Sequence, residues 1–253
     1  MDSPFTVPTR FPNPNNIGFS SDVRKANSTA RWRILAAGVL AATAVLFLAR
    51  LGSHGVVSEE LRWAEVAREM RRTGDYVHPA INGRAYFDKP VGSYWLIVAV
   101  SYLTGGVTEA TARLPAAVAG WVGGWLVMRL ARRGCGPAAG VLAGAVLATA
   151  FGFAFYARRA TADVETVTGV LAAVCLFEWN RTRPPGWWVV GLWAVMVVTS
   201  QRKVLPGFAL PLAVFSAFGT WSGWASGGGR GIISGNRWLF NRWTLFAAPL
   251  GGG

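Results

Sequence analysis

The chain has 253 residues, 52% of them hydrophobic and 15% charged, with a formal net charge of +13. Its 13 tryptophans and mean hydropathy of +0.34 are high for a soluble protein, and its apolar residues come in long uncharged blocks, which argues against a soluble fold with buried core helices. The basic excess lies mostly between those blocks and comes with no nucleic-acid motif, so membrane topology and lipid head groups account for it better than DNA or RNA does.

Residues 1–33 are polar and rich in Pro, Asn and Ser, and are expected to be disordered on the cytoplasmic side. Arg24, Lys25, Arg31 and Arg33 precede a first span at 34–49, which reads as a retained signal anchor. A long, nearly neutral polar stretch follows, from Leu51 to Arg113, and suits an extracytoplasmic loop. Within it, 58–72 reads as a helix. Ser58 caps it, and Glu59 and Glu60 fill the first turn, where the helix dipole favours anions. Trp63, Val66, Ala67 and Met70 fall on one face, so this amphipathic helix is expected to lie on the membrane surface. Asn82-Gly83 marks a turn, and 93–103 reads as a second interfacial helix.

Further spans are expected at 114–128, 137–155, 164–177, 187–200 and 205–218. Arg129, Arg132 and Arg133 and the segment 180–185 fall on the cytoplasmic side, and 156–165 and 201–203 fall outside. From Gly219 the chain is Gly-rich, and 244–249 looks like the start of a further, truncated span. The fold class expected is therefore an all-α polytopic membrane protein, with about six transmembrane helices and interfacial helices in the first outer loop. Its domain spans 34–218, between the N-terminus at 1–33 and the tail at 219–253.

Positive charge on the outer side is unusual. Arg158 and Arg159 stand beside Asp163 and Glu165 at one membrane boundary, and Arg202 and Lys203 stand at another. With Arg62, Arg84 and Lys89 they make, as a set, a cationic rim suited to a lipid phosphate, although snorkelling or pairing with an acid explains any single one of them better. Glu59, Glu60 and Asp163 are carboxylates that can act as a general base on a hydroxyl. Helix N-terminal charge and capping explain them as well. His54 and His78 lack metal-ligand spacing, and Cys135 and Cys175 indicate no disulfide framework. The Gly-rich tail has no phosphate-loop pattern.

A series of short motifs carries a resemblance. Glu59-Glu60-Leu61-Arg62-Trp63-Ala64-Glu65 comes first, then Gly74-Asp75-Tyr76, Asn82-Gly83, Tyr86-Phe87-Asp88-Lys89-Pro90 and Tyr94-Trp95. Downstream come Ala112-Arg113-Leu114-Pro115 and Arg159-Ala160-Thr161-Ala162-Asp163. Together they resemble the integral membrane glycosyltransferases of the C superfamily that use lipid-linked sugars, akin to aminoarabinose transferases and protein O-mannosyltransferases. The resemblance implies transfer of a sugar from a polyprenyl-phosphate donor to a lipid, glycan or protein acceptor outside the cytoplasm, with inversion.

On that resemblance Glu59 is the base and Asp163 its helper. Arg62, Lys89, Arg159 and Lys203 bind phosphate, and Glu60, Asp88 and Tyr86 orient the acceptor or support the site. It places the protein in a bacterial inner membrane, multi-pass, with the donor and membrane lipid as partners and no nucleic acid. No metal ligand is assigned, and a divalent-metal cofactor is left open. Three departures stand out. Glu59 occupies a position where the family has Asp, the usual Lys-Gly-Pro appears as Lys203-Val204-Leu205-Pro206, and the chain stops short of the further spans and C-terminal domain. A truncated non-catalytic scaffold, or a chain completed by a partner, is the alternative. A transporter is disfavoured because the charges sit at boundaries.

Overall fold

The computed structural model describes residues 18–56 and 59–225, with side chains over 29–56 and 59–218. The elements are α1 (Gly18–Leu48), α2 (Glu59–Thr73), β1 (Ala80–Ile81), β2 (Arg84–Ala85), α3 (Gly92–Thr104), α4 (Glu109–Cys135), α5 (Pro137–Thr149), α6 (Phe151–Ala157), α7 (Asp163–Asn180), α8 (Trp187–Ser200) and α9 (Val204–Ala225). The all-α class holds, since the strands are two residues each.

Thr29–Leu48 within α1 and Glu109–Cys135 are long and apolar enough to cross a membrane. The expected third span is broken at Ala150 into α5 and α6, which meet at 67°, and counts as a span only if the pair is taken together. The three remaining expected spans fall on α7, α8 and α9. The first carries Asp163, Glu165 and Glu178, and the other two are short apolar helices over 187–200 and 204–218.

The first helix begins at Gly18, so residues 18–33, expected to be disordered, are helical. The prolines of the N-terminus end at Pro14, and nothing in 18–33 breaks a helix that the following apolar block can extend. Ser58, the expected cap of α2, and the tail beyond 225 lie outside the described residues.

Helix α4 is the centre of the bundle and touches α1, α3, α5, α6 and α7. Thr168 of α7 donates its hydroxyl to the Ala119 carbonyl at 2.8 Å, and Trp121 donates its indole N–H to the Leu40 carbonyl at 3.0 Å. One core joins Phe47 and Leu51 with Ala117, Ala157 and Val164. A second joins α7, α8 and α9 through Phe177, Leu192, Met196 and Phe215.

The third core explains α2. Trp63, Ala64, Val66, Ala67 and Met70 are buried against Tyr94, Ile97 and Val98 of α3 and against Ala160 and Ala162. The Trp63 and Tyr94 rings lie 4.8 Å apart, and burial raises the Tyr94 phenol above its ordinary range. Arg71 ties the far end of α2 to α3 by donating to the Ser101 carbonyl at 2.7 Å.

Between α2 and α3 the chain makes a hairpin, with Ala80 opposite Ala85 and Ile81 opposite Arg84. Its two-residue turn is Asn82-Gly83, with φ of 52° and 75°, the pairing that such a turn requires. The Tyr86 amide extends the ladder to the Pro79 carbonyl at 2.7 Å, which fixes where the phenol points.

Candidate active site

Three groups of polar side chains gather where α2, the hairpin, the α6–α7 connection and the α8–α9 connection meet. The first is buried. Glu60 is 1% exposed and Arg113 6%. Arg113 Nε and Nη2 donate to the two Glu60 oxygens, each at 2.9 Å. Its other N–H groups reach the carbonyls of Leu51 at 2.7 Å, His54 at 2.8 Å and Gly55 at 3.0 Å. All five guanidinium donors therefore have acceptors. Glu60 also accepts the Ala160 amide at 2.9 Å. One ion pair thus fastens α2, α4, the loop after α1 and the segment leading to Asp163. These contacts hold Glu60 inside the packing of the four segments. Arg113 belongs to a motif that the sequence displays, but its role was not read there.

The second group is open. Side chains of Glu59 and Arg62 are 57% and 50% exposed, with Arg62 Nη2 3.7 Å from Glu59 Oε1. Arg62 Nη1 donates to the Tyr86 hydroxyl at 3.3 Å, and that hydroxyl donates to Asp88 Oδ2 at 3.1 Å. Lys89 Nζ lies 3.5 Å from the same Asp88 oxygen. The Tyr86 hydrogen bond, and then the nearby carboxylates, hold the Arg62 guanidinium firmly protonated. A continuous path of polar contacts therefore runs from Glu59 to Lys89. Its charged groups stay open to an incoming ligand.

In the third group, Lys203 Nζ pairs with Asp163 Oδ1 at 2.5 Å, joining the start of α7 to the start of α9. Beneath it Glu165 is buried, accepts the Ser93 hydroxyl at 2.5 Å and lies 3.5 Å from Arg202 Nε. Burial lowers the Arg202 guanidinium from its ordinary range, and Glu165 opposes that shift. The Ser93–Glu165–Arg202 cluster went unread in the sequence, because Ser93 lies in an apolar helix with no signal of its own.

The second and third groups are held together by backbone. The Gly92 amide donates to the Gln201 carbonyl at 3.0 Å. A Cβ on Gly92 would come within 2.6 Å of that carbonyl oxygen. Gly92→Ala should therefore push the 88–92 loop from the 201–203 loop and destabilise the protein by about 1–3 kcal/mol. Thermal unfolding in detergent checks this, and an unchanged midpoint would contradict the close approach.

Between these loops lies a cavity of about 560 Å³, lined by Asp88, Lys89, Gln201, Leu205 and Phe208 among others. Arg159 stands apart from it. Its guanidinium lies 4.3 Å from the Phe155 ring centre, and with His54, Glu60 and Arg113 it lines a separate cavity of about 340 Å³. Among the described residues, no three of His, Cys, Asp and Glu gather as metal ligands. Asp88 and Asp163 each face a lysine instead.

Residues 88–225 match the family model for dolichyl-phosphate-mannose-protein mannosyltransferase, which is more than half of the chain. The chain belongs to this family. Several bacterial proteins related to this mannosyltransferase family member carry one name. Undecaprenyl phosphate-alpha-4-amino-4-deoxy-L-arabinose arabinosyl transferase 1 of Pseudomonas fluorescens (strain Pf0-1) is 35% identical over 104 residues, covering 41% of this chain and 18% of that protein. The arabinosyl transferase of Pseudomonas savastanoi pv. phaseolicola is 28% identical over 190 residues, covering 72% and 35%.

Among solved structures, ArnT from Cupriavidus metallidurans in the apo state superposes with a TM-score of 0.63 at 26% identity, covering 89% of this chain and 44% of that one. The same protein bound to undecaprenyl phosphate gives 0.65 at 28% identity, covering 87% and 40%. The chain thus spans less than half the length of these relatives. The expected class, a polytopic membrane protein of the glycosyltransferase C type, is the one found.

Proposed function

We propose that this chain carries the catalytic end of a membrane transferase that moves a sugar from a polyprenyl phosphate to a lipid, glycan or protein acceptor outside the cytoplasm. The observation that carries the reading is the open polar path from Glu59 through Arg62, Tyr86 and Asp88 to Lys89, set beside the Asp163–Lys203 pair. The names of the relatives and the undecaprenyl phosphate bound to one of them support it.

In this mechanism the Glu59 carboxylate takes the proton of the acceptor hydroxyl. The acceptor oxygen attacks the anomeric carbon, and the bond from that carbon to the phosphate oxygen breaks with inversion. The lipid phosphate leaves as an anion. Arg62, Lys89 and Lys203 balance the charge that develops on it, which is where positioned cations lower a barrier. Asp163 orients the acceptor and holds Lys203 in place. Tyr86 and Asp88 hold Arg62 and Lys89. Arg159, which lines the separate cavity with His54 and Arg113, takes no part in this step. The apolar face of α2, expected to meet the membrane surface, is instead buried against α3 and the segment before Asp163, and this packing holds Glu59 and Arg62 on the open face at the site. The N-terminus is cytoplasmic and the membrane is the bacterial inner membrane. A scaffold would have no use for the open cations and carboxylates of this path.

Transfer from an undecaprenyl-phosphate sugar, measured with the native gene product in detergent, tests the reading. Lys89→Ala should lower kcat by about 10²–10³ while the protein still inserts and purifies normally. Unchanged transfer in that variant would remove the phosphate-binding role and the reading with it.

A further inference from the structure

The opposite end of the bundle holds a second cationic cavity that the proposed transfer does not use. It has a volume of about 260 Å³ and lies between α1, α4 and α5. Arg33 of α1 and Arg129 and Arg132 of α4 line it, with Trp32 and Trp125 at its sides. Arg113 and Arg129 are sixteen residues apart on α4, so this cavity is roughly 24 Å along the helix from the buried ion pair of the candidate active site. Nothing in the transfer chemistry reaches it.

Charge and geometry point to its occupant. Among the residues with described side chains, Glu178 is the acid at this end, and it is already engaged by Arg181 at 2.6 Å and Arg133 at 3.8 Å. Arg33, Arg129 and Arg132 have no carboxylate within ion-pair distance among the described residues. Arg129 is held between aromatic faces, 5.0 Å from the Trp125 ring centre and 5.2 Å from that of Trp179. Stacking fixes the plane of a guanidinium and leaves its N–H edge free for a phosphate fork.

The pocket is also built into the helix packing. Gly140 of α5 lies so close to α4 that a Cβ there would come within 2.7 Å of the Met128 carbonyl. The indole of Trp121 pins α1 at Leu40, one of the lining residues. Beside the cavity, Ile34 and Leu35 of α1 and Leu142 and Val146 of α5 expose apolar side chains. A bare anion has no use for them, whereas acyl chains do.

We propose that this cavity binds the phosphate headgroup of an anionic membrane lipid. The three arginines hold the phosphate, Trp32 and Trp125 sit at the headgroup level, and the acyl chains run along the exposed faces of α1 and α5. Arginine-rich pockets between spans, flanked by tryptophan, suit such lipids by charge and by depth.

Native mass spectrometry of the purified full-length gene product tests this, with phosphatidylglycerol, phosphatidylcholine and inorganic phosphate as probes. Phosphatidylglycerol should stay bound in preference to phosphatidylcholine, and inorganic phosphate should not displace it at equal concentration. The triple variant R33Q/R129Q/R132Q should weaken phosphatidylglycerol binding on the order of a hundredfold. Arg33→Gln alone, on an exposed face of α1, leaves the fold intact and should weaken it about fivefold. Equal retention of the two lipids, or full retention by Arg33→Gln, overturns the proposal. Displacement by inorganic phosphate would mark a free-anion site and overturn the lipid assignment.

Discussion

Arg113→Ala should lower the stability of the protein by about 3–5 kcal/mol, because it leaves the Glu60 carboxylate buried with its counter-charge gone. For a chain of this size that is a fall of roughly 10 °C in the unfolding midpoint, readable by thermal denaturation in detergent. The Ala160 amide would still donate to Glu60, but an amide does not replace a guanidinium as counter-charge. The three carbonyls of Leu51, His54 and Gly55 would lose their shared donor in the same step.

Lysine cannot replace it. An ammonium has three donors on one atom, and the arginine here uses five spread over a planar fork. Arg113→Lys should therefore recover little of the loss. The paired change Glu60→Gln with Arg113→Met should recover more than Arg113→Lys, since it removes both buried charges rather than one. A midpoint unmoved in Arg113→Ala would show that the ion pair is not what fastens these four segments.

That pair also marks the boundary of what the sequence made legible. The period of α2 was plain, and its bounds, expected at 58–72, came out as Glu59–Thr73. The second interfacial helix, expected at 93–103, is Gly92–Thr104. The Asn82-Gly83 turn was legible because few residue pairs accept two positive φ angles. The same period held a clue about Glu60 that composition obscured. Glu60 shares a face with Trp63, Ala64 and Ala67, all buried, so the acid lies on the apolar side of α2 while Glu59 lies outside it. Both acids fit the helix dipole equally well, and that explanation hid the difference.

The partner of Glu60 was out of reach, since Arg113 is more than fifty residues away and meets it only through packing. The break at Ala150 was equally silent, because Ala150-Phe151 carries no proline and continues an apolar run that suits an unbroken span. Charge patterning showed that cations and carboxylates gather on one side. Which of them touch is decided by the hairpin and by the Gly92–Gln201 contact, which are tertiary facts.

Glu59→Gln should cut transfer by about 10²–10⁴ without moving the unfolding midpoint, because Glu59 is exposed and its contact with Arg62 is long. Glu60→Gln should do the reverse, lowering the midpoint by leaving the buried Arg113 charge without its counter-charge. Two neighbouring acids in one turn of helix thus separate chemistry from support, and measuring both variants in parallel tells the roles apart. Glu59→Asp is the informative third variant. The carboxylate keeps its charge and withdraws by one methylene, so transfer should fall less than in Glu59→Gln if the base can follow the acceptor, and equally far if its reach is what matters. Transfer at the wild-type rate in Glu59→Gln would remove the base from this position and leave Asp163 as the carboxylate to test next. A lowered midpoint in that variant would instead show that Glu59 braces α2, a role its exposed side chain does not suggest.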